Sequence, residues 1–124
     1  MSDEAGRIFR NAWIAGVKRH YPGEPKPGYV AAWEDTPDWE RASASAVHRH
    51  VIELLQASDG AARLLTREQK GQYVAVCWVA QIYRHFRDPK PAYVAPWNQM
   101  PRWQQETDAD IFEHIESMLP PRGN

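Results

Sequence analysis

The feature that most constrains this chain is a segment that occurs twice. Pro25-Lys26-Pro27-Gly28-Tyr29-Val30-Ala31-Ala32-Trp33 returns as Pro89-Lys90-Pro91-Ala92-Tyr93-Val94-Ala95-Pro96-Trp97. At the same offset Pro37 matches Pro101, Trp39 matches Trp103, Val47 matches Ile111, His50 matches His114, Val51 matches Ile115 and Leu55 matches Leu119. Upstream, after a shift of one residue, Trp13 pairs with Trp78, Val17 with Ile82, and Arg19-His20-Tyr21 with Arg84-His85-Phe86. A self-similar chain of this kind is two copies of one supersecondary unit. A unit of about 60 residues buries too little surface to be secure alone, so the two copies are expected to share a core. The first copy spans 1–56 and the second 67–124, with 57–66 as the linker.

Each copy reads as helix, extended loop, helix. Ile8, Phe9, Ala12, Trp13 and Val17 follow the three-and-four spacing of an amphipathic helix over about 4–20. Trp39, Ser43, Val47, Val51 and Leu54 do the same over about 37–56, with Pro37 suited to the first helical position. The second copy repeats the pattern through Tyr73, Val74, Cys77, Trp78 and Ile82, then through Trp103, Ile111, Ile115 and Met118. Ser58-Asp59-Gly60 is a helix stop, and Thr66-Arg67-Glu68-Gln69 a capping box. Between the helices, X-Pro steps push Lys26–Ala31 and Lys90–Ala95 toward extended backbone, and each Tyr-Val-Ala stretch suits a short strand. The expected fold is therefore mainly α, a tandem duplication with short β-strands pairing across a pseudo-twofold. Val51, Ile115, Trp13 and Trp78 are the expected core. Pro120-Pro121 should end the last helix, and Arg122 to Asn124 should fray.

Charge excludes some partners. The 124 residues carry a net charge of −1, with both signs mixed along the chain, which gives little support to nonspecific nucleic-acid or membrane binding. Cys77 is the single cysteine, so neither a disulfide nor a cysteine metal site forms within one chain. Met1-Ser2-Asp3-Glu4 has no apolar leader, no apolar run reaches membrane-span length, and a reducing cytoplasm is the expected setting.

Catalytic patterns are missing as well. The seven glycines are scattered, with no phosphate loop. Cys77 falls on an apolar helix face and reads as a structural thiol. His48 and His50 face different ways, and His50 and His114 read as packed core histidines rather than metal ligands. Asp108, Asp110 and Glu113 read as a solvated acidic helix face. No catalytic residue, metal or cofactor is expected. The recurring aromatics stand apart: Tyr29, Trp33, Tyr93 and Trp97 sit on the two loops, with Lys26, Lys90, Arg19 and Arg84 near them in sequence. One reading is core, with large rings locking an irregular loop onto helices. The other is an aromatic wall for a planar ligand, with the cations meeting phosphate or carboxylate. Recurrence of the cations in both copies favours the second.

The run Pro91-Ala92-Tyr93-Val94-Ala95-Pro96-Trp97-Asn98-Gln99-Met100-Pro101, with Asp108 beyond it, resembles the ryanodine-receptor (RyR) repeat. Pro96-Trp97 resembles the family's Pro-aromatic pair, Met100-Pro101 its Leu-Pro step, and Asp108 its aspartate. The first copy is similar at Ala32-Trp33 and Thr36-Pro37, with Ala44 in place of the aspartate. Trp33-Glu34-Asp35-Thr36-Pro37-Asp38-Trp39 is similar to a segment of bacterial and phage relatives. The family's Gly-Trp-x-x-Gly segment and longer loop are absent, so contacts made there do not carry over. The resemblance covers about half the chain. It implies a helical, tandem, non-catalytic sensor of nucleotide-like ligands, and it adds Asp108 to the pocket candidates. The expected function is thus a small-ligand-binding module, with the ligand held between the two loops by Tyr29, Trp33, Lys26, Arg19, Tyr93, Trp97, Lys90, Arg84 and Asp108. The alternative is a protein-interaction adaptor or a homodimer.

Overall fold

The computed structural model describes residues 3–119. Four helices carry the fold: α1 (Glu4–His20), α2 (Asp38–Ala57), α3 (Arg67–His85) and α4 (Arg102–Ser117). Within each pair, α1–α2 and α3–α4, the connection holds two 3₁₀ turns, Pro27–Val30 with Trp33–Asp35 and Pro91–Val94 with Trp97–Gln99. This arrangement is consistent with a duplicated unit. No strand occurs among the described residues, which corrects the expectation for the Tyr-Val-Ala stretches. A proline steers only the residue before it into extended backbone, and Lys26 and Lys90 are so placed, with ψ of 142° and 140°. The fixed φ of Pro27 and Pro91 then suits a turn. Tyr29 N–H donates to Lys26 O and Tyr93 N–H to Lys90 O, both at 2.9 Å.

Local signals place the helix ends. Thr66 accepts from Gln69 N–H at 3.1 Å while Gln69 Oε1 receives Thr66 N–H at 2.9 Å, the reciprocal bonds of a capping box. Pro37 caps α2 from just outside it rather than occupying the first helical position. Basic residues close α1 (Lys18, Arg19, His20) and α3 (Arg84, His85), where the helix dipole favours them. The linker is not a spacer. Asp59 and Gly60 turn it through left-handed backbone, Ala62 in the 3₁₀ turn Ala61–Leu64 is buried, and Arg63 donates to Leu119 O at 2.8 Å. The end of the last helix at Pro120-Pro121 and the tail lie outside the described residues.

The core draws on all four helices. Val17, Val47, Val51, Val74, Ile111, Phe112 and Ile115 are fully enclosed. Trp13 and Trp78 are partly buried and pack against this cluster from its margin, their rings reaching across to the other copy. Trp13 meets Trp103 at 5.8 Å, and Trp78 meets Trp39 at 6.2 Å. The copies therefore interlock through exchanged indoles.

Each loop is keyed to its own first helix by a tryptophan on a glycine. The Trp33 ring edge occupies the space of a side chain at Gly6, and Trp97 Cη2 lies 2.6 Å from where a Cβ on Gly71 would stand. Elsewhere the copies diverge. At Gly16 a Cβ would meet Thr107 Cγ2 at 2.6 Å, so α4 lies close on α1. The counterpart of Gly16 is Gln81, and α2 and α3 are correspondingly in looser contact.

Candidate functional site

A concave surface lies between the start of α1 and the outer side of α2. It is an open groove of about 880 Å³ lined by Asp3, Ala5, Trp33 and an α2 stripe of Arg41, Ala42, Ser45, His48, Arg49 and Ile52. The stripe exists because residues three and four apart on a helix share a face. Arg49 is exposed with no ion pair or hydrogen bond among the described residues, whereas Arg41 pairs with Asp38. Burial is the main influence lowering the pKa of His48, reinforced by His114 and opposed by Glu4. Trp33 is held from both sides, its Nε1 donating to Asp3 Oδ2 at 3.4 Å and the Arg7 guanidinium lying 5.6 Å from its ring centroid. Ser45 and His48 share the groove, but no hydrogen bond joins them among the described residues. Two arginines, an imidazole and a hydroxyl beside an indole can hold an anion by charge and hydrogen bonding.

The nine residues expected to line one pocket are dispersed. Trp33 alone reaches the groove. Tyr29 belongs to a cluster with Trp13, Tyr21 and Trp103, its carbonyl accepting from Trp13 Nε1 at 2.9 Å. Lys26 Nζ stands 5.8 Å from the Tyr29 ring centroid. Arg19 points to Asp110, Arg84 to Gln81, and Lys90 is exposed. Tyr93 is 60% exposed and has no ring partner among the described residues. Trp97 keys its loop to Gly71. The first loop is also held by Arg10, which is buried and donates to Gly28 O at 3.0 Å, Ala31 O at 2.9 Å and Glu40 Oε2 at 3.0 Å. Burial pulls the Arg10 pKa down and pushes Glu40 up, each opposed by the other's charge. Ala75 is the counterpart of Arg10, so the second loop has no such anchor.

The acidic face of α4 is not simply solvated. Asp110 accepts from His20 Nε2 at 2.8 Å and from Arg67 Nη2 at 2.6 Å, and Arg67 also reaches Glu106 and Glu113. Burial would raise the Asp110 pKa, but the bonds from Arg67 and His20 outweigh it and hold the carboxyl below its usual value. Asp108 is the opposite case. It is 5% exposed with no ion pair among the described residues, and burial raises its pKa well above the ordinary value. The histidine expectation fails too: His114 is exposed, and His50 stands 3.4 Å from Glu53 with 41% of its side chain exposed. Cys77 packs at the core margin, where burial raises its pKa, as a structural thiol requires. No cluster of three metal-ligating side chains occurs among the described residues.

Sequence reasoning missed the groove. Arg41, Ser45, His48 and Arg49 are spaced as one helical stripe, but they have no match in the second copy, so the repeat does not point to them. The class these features define is an all-α four-helix protein with an open groove lined by Asp3, Arg41 and Arg49 beside Trp33, and no described helix is long and apolar enough to cross a membrane. No family model, curated protein or solved structure matches the chain.

Proposed function

We propose that the chain is a non-catalytic binding module for a small anionic ligand with a planar part, nucleotides and their derivatives being the class to test first. The observation that carries this is the groove at Trp33, edged by Arg41, His48 and Arg49. The groove takes the place of a pocket between the loops, since each loop packs on the first helix of its own copy. The resemblance to the ryanodine-receptor repeat, weaker in the first copy than in the second, supports the same reading.

Calorimetric titration with mono-, di- and cyclic nucleotides tests it. Arg49→Gln should weaken binding about fivefold to tenfold without moving the ligand-free Tm, since an Arg–phosphate bond at a partly exposed site contributes on the order of 1 kcal/mol. Binding should also weaken with added salt. No heat and no stabilisation at millimolar nucleotide, or an Arg49→Gln protein that binds like the parent, sinks the proposal. An adaptor is the second reading. Val76 and Tyr83, 62% and 58% exposed, lie two turns apart on one face of α3. Sedimentation of the parent and Tyr83→Ser decides whether that face joins two copies.

A further inference from the structure

Both first helices end in the same pair, Arg19-His20 in α1 and Arg84-His85 in α3. The first pair receives a carboxylate: Asp110 Oδ2 lies 2.8 Å from His20 Nε2 and 3.5 Å from Arg19 Nη1. The residue of the first copy in register with Asp110 is Ala46, which brings no carboxylate. His85 Nε2 is accordingly buried without a hydrogen-bond partner among the described residues, and Arg84 turns to Gln81 Oε1 at 3.2 Å. On the facing helix Ser43 Oγ is also buried with no partner among the described residues, whereas its counterpart Thr107 donates to Trp103 O. A buried polar atom left unpaired keeps its desolvation penalty, so this end of the α2–α3 interface favours a group that supplies the missing bond.

The aromatic surroundings diverge in the same sense. Tyr29 covers Tyr21 and Trp103, with ring centroids at 5.8 and 5.5 Å. Tyr93 meets no ring among the described residues, and Phe86, 4.8 Å from Trp39, is 38% exposed. His85 lies 6.3 Å from the same Trp39 ring, which joins the uncovered rings to the unpaired nitrogen. We propose that the second copy binds a small planar carboxylic acid, its carboxylate received by Arg84 and His85 and its ring lying against Trp39 and Phe86. Each half of that ligand stands for a group the chain itself supplies at the end of α1, the Asp110 carboxylate from α4 and the Tyr29 ring from the first loop. An acid fits better than a neutral ring because the Arg-His pair donates hydrogen bonds and, in the first copy, closes on a carboxylate. None of these residues lines the groove, so this site stands apart from the one proposed above.

The probe is benzoate, compared with benzamide for the charge and acetate for the ring. Long-range ¹⁵N–¹H NMR of the full chain reads His85, and the indole N–H signals read Trp39 and Trp78. Millimolar benzoate should shift both sets, with benzamide and acetate each binding at least tenfold more weakly. Ala46→Asp restores the internal carboxylate, so it should shift His85 by itself, raise Tm and abolish the response to benzoate. Equal binding of benzoate and benzamide, a silent His85, or an Ala46→Asp protein that still binds benzoate overturns the proposal. Should Ala46→Asp fail to fold, Arg84→Gln decides instead, with at least fivefold weaker benzoate binding supporting the site and unchanged binding refuting it. Arg49→Gln serves as the control for position. If it removes the benzoate response, the acid sits in the groove and not at Arg84 and His85.

Discussion

Asp108 carries a buried carboxyl with no ion pair among the described residues, and the consequence is a specific pH dependence. Its folded pKa is raised, so between the ordinary aspartate value near pH 4 and that raised value the folded protein holds a proton the unfolded chain has released. Stability therefore falls as pH rises through this window and stays at the reduced level above it. Asp108→Asn keeps the shape and removes the titration. It should melt close to the parent at pH 4 and several degrees above it at pH 8. A variant that melts below the parent at pH 8 would show that the carboxylate has an ionic partner. Asp110 and Glu106 act in the other direction: their folded values are lowered, and their contribution is lost as pH falls through those values. The difference between Asp108 and Asp110 was not legible in the sequence. Both are aspartates on one helix, and only the packing of α1 and α3 assigns one to the interior and the other to His20 and Arg67.

At the scale of elements, the helices were readable because their signals are local. The apolar spacing of α1, the Thr66–Gln69 box and the Gly60 turn each act within a few residues, and the structure has all three. The loops were readable only as irregular, since whether a proline-led segment extends or turns depends on what it packs against. What it packs against is a glycine: Trp33 on Gly6, Trp97 on Gly71. In sequence the two glycines read only as scattered ones, although they share the offset of the Trp13–Trp78 match. Gly71→Ala separates two opposing effects. Alanine favours the helix by up to about 1 kcal/mol, but its methyl would meet Trp97 and force repacking at about 1–3 kcal/mol. The expected net effect is a loss of stability, read as a lower urea midpoint with an unchanged m-value. A midpoint that rises would show that Trp97 can leave its helix freely. The groove was illegible for a related reason, since its cationic stripe on α2 becomes a lined concavity only once Trp33 is fixed over the start of α1.

For the whole molecule, the exchange of indoles decides what can stand alone. Trp13 completes its cluster with Trp103, and Trp39 completes its own with Trp78, so each half lacks a wall without the other. Peptides covering 1–56 and 67–124 should each show weak helical circular dichroism when separate and gain it when mixed at tens of micromolar. A first half that melts cooperatively by itself would mean that the copies are neighbours and not parts of one core. The same exchange has a bearing on how the chain is made. A ribosome adds about 5–20 residues each second, and the wait from Trp13 to Trp103 is accordingly on the order of 5–20 s. Throughout that interval the emerging first copy shows Trp13, Tyr21 and Tyr29 to the cytosol or to whatever holds nascent chains. Slow codons before Trp103 would lengthen this exposure and lower the yield of folded protein, whereas the same codons after it would leave the yield unchanged.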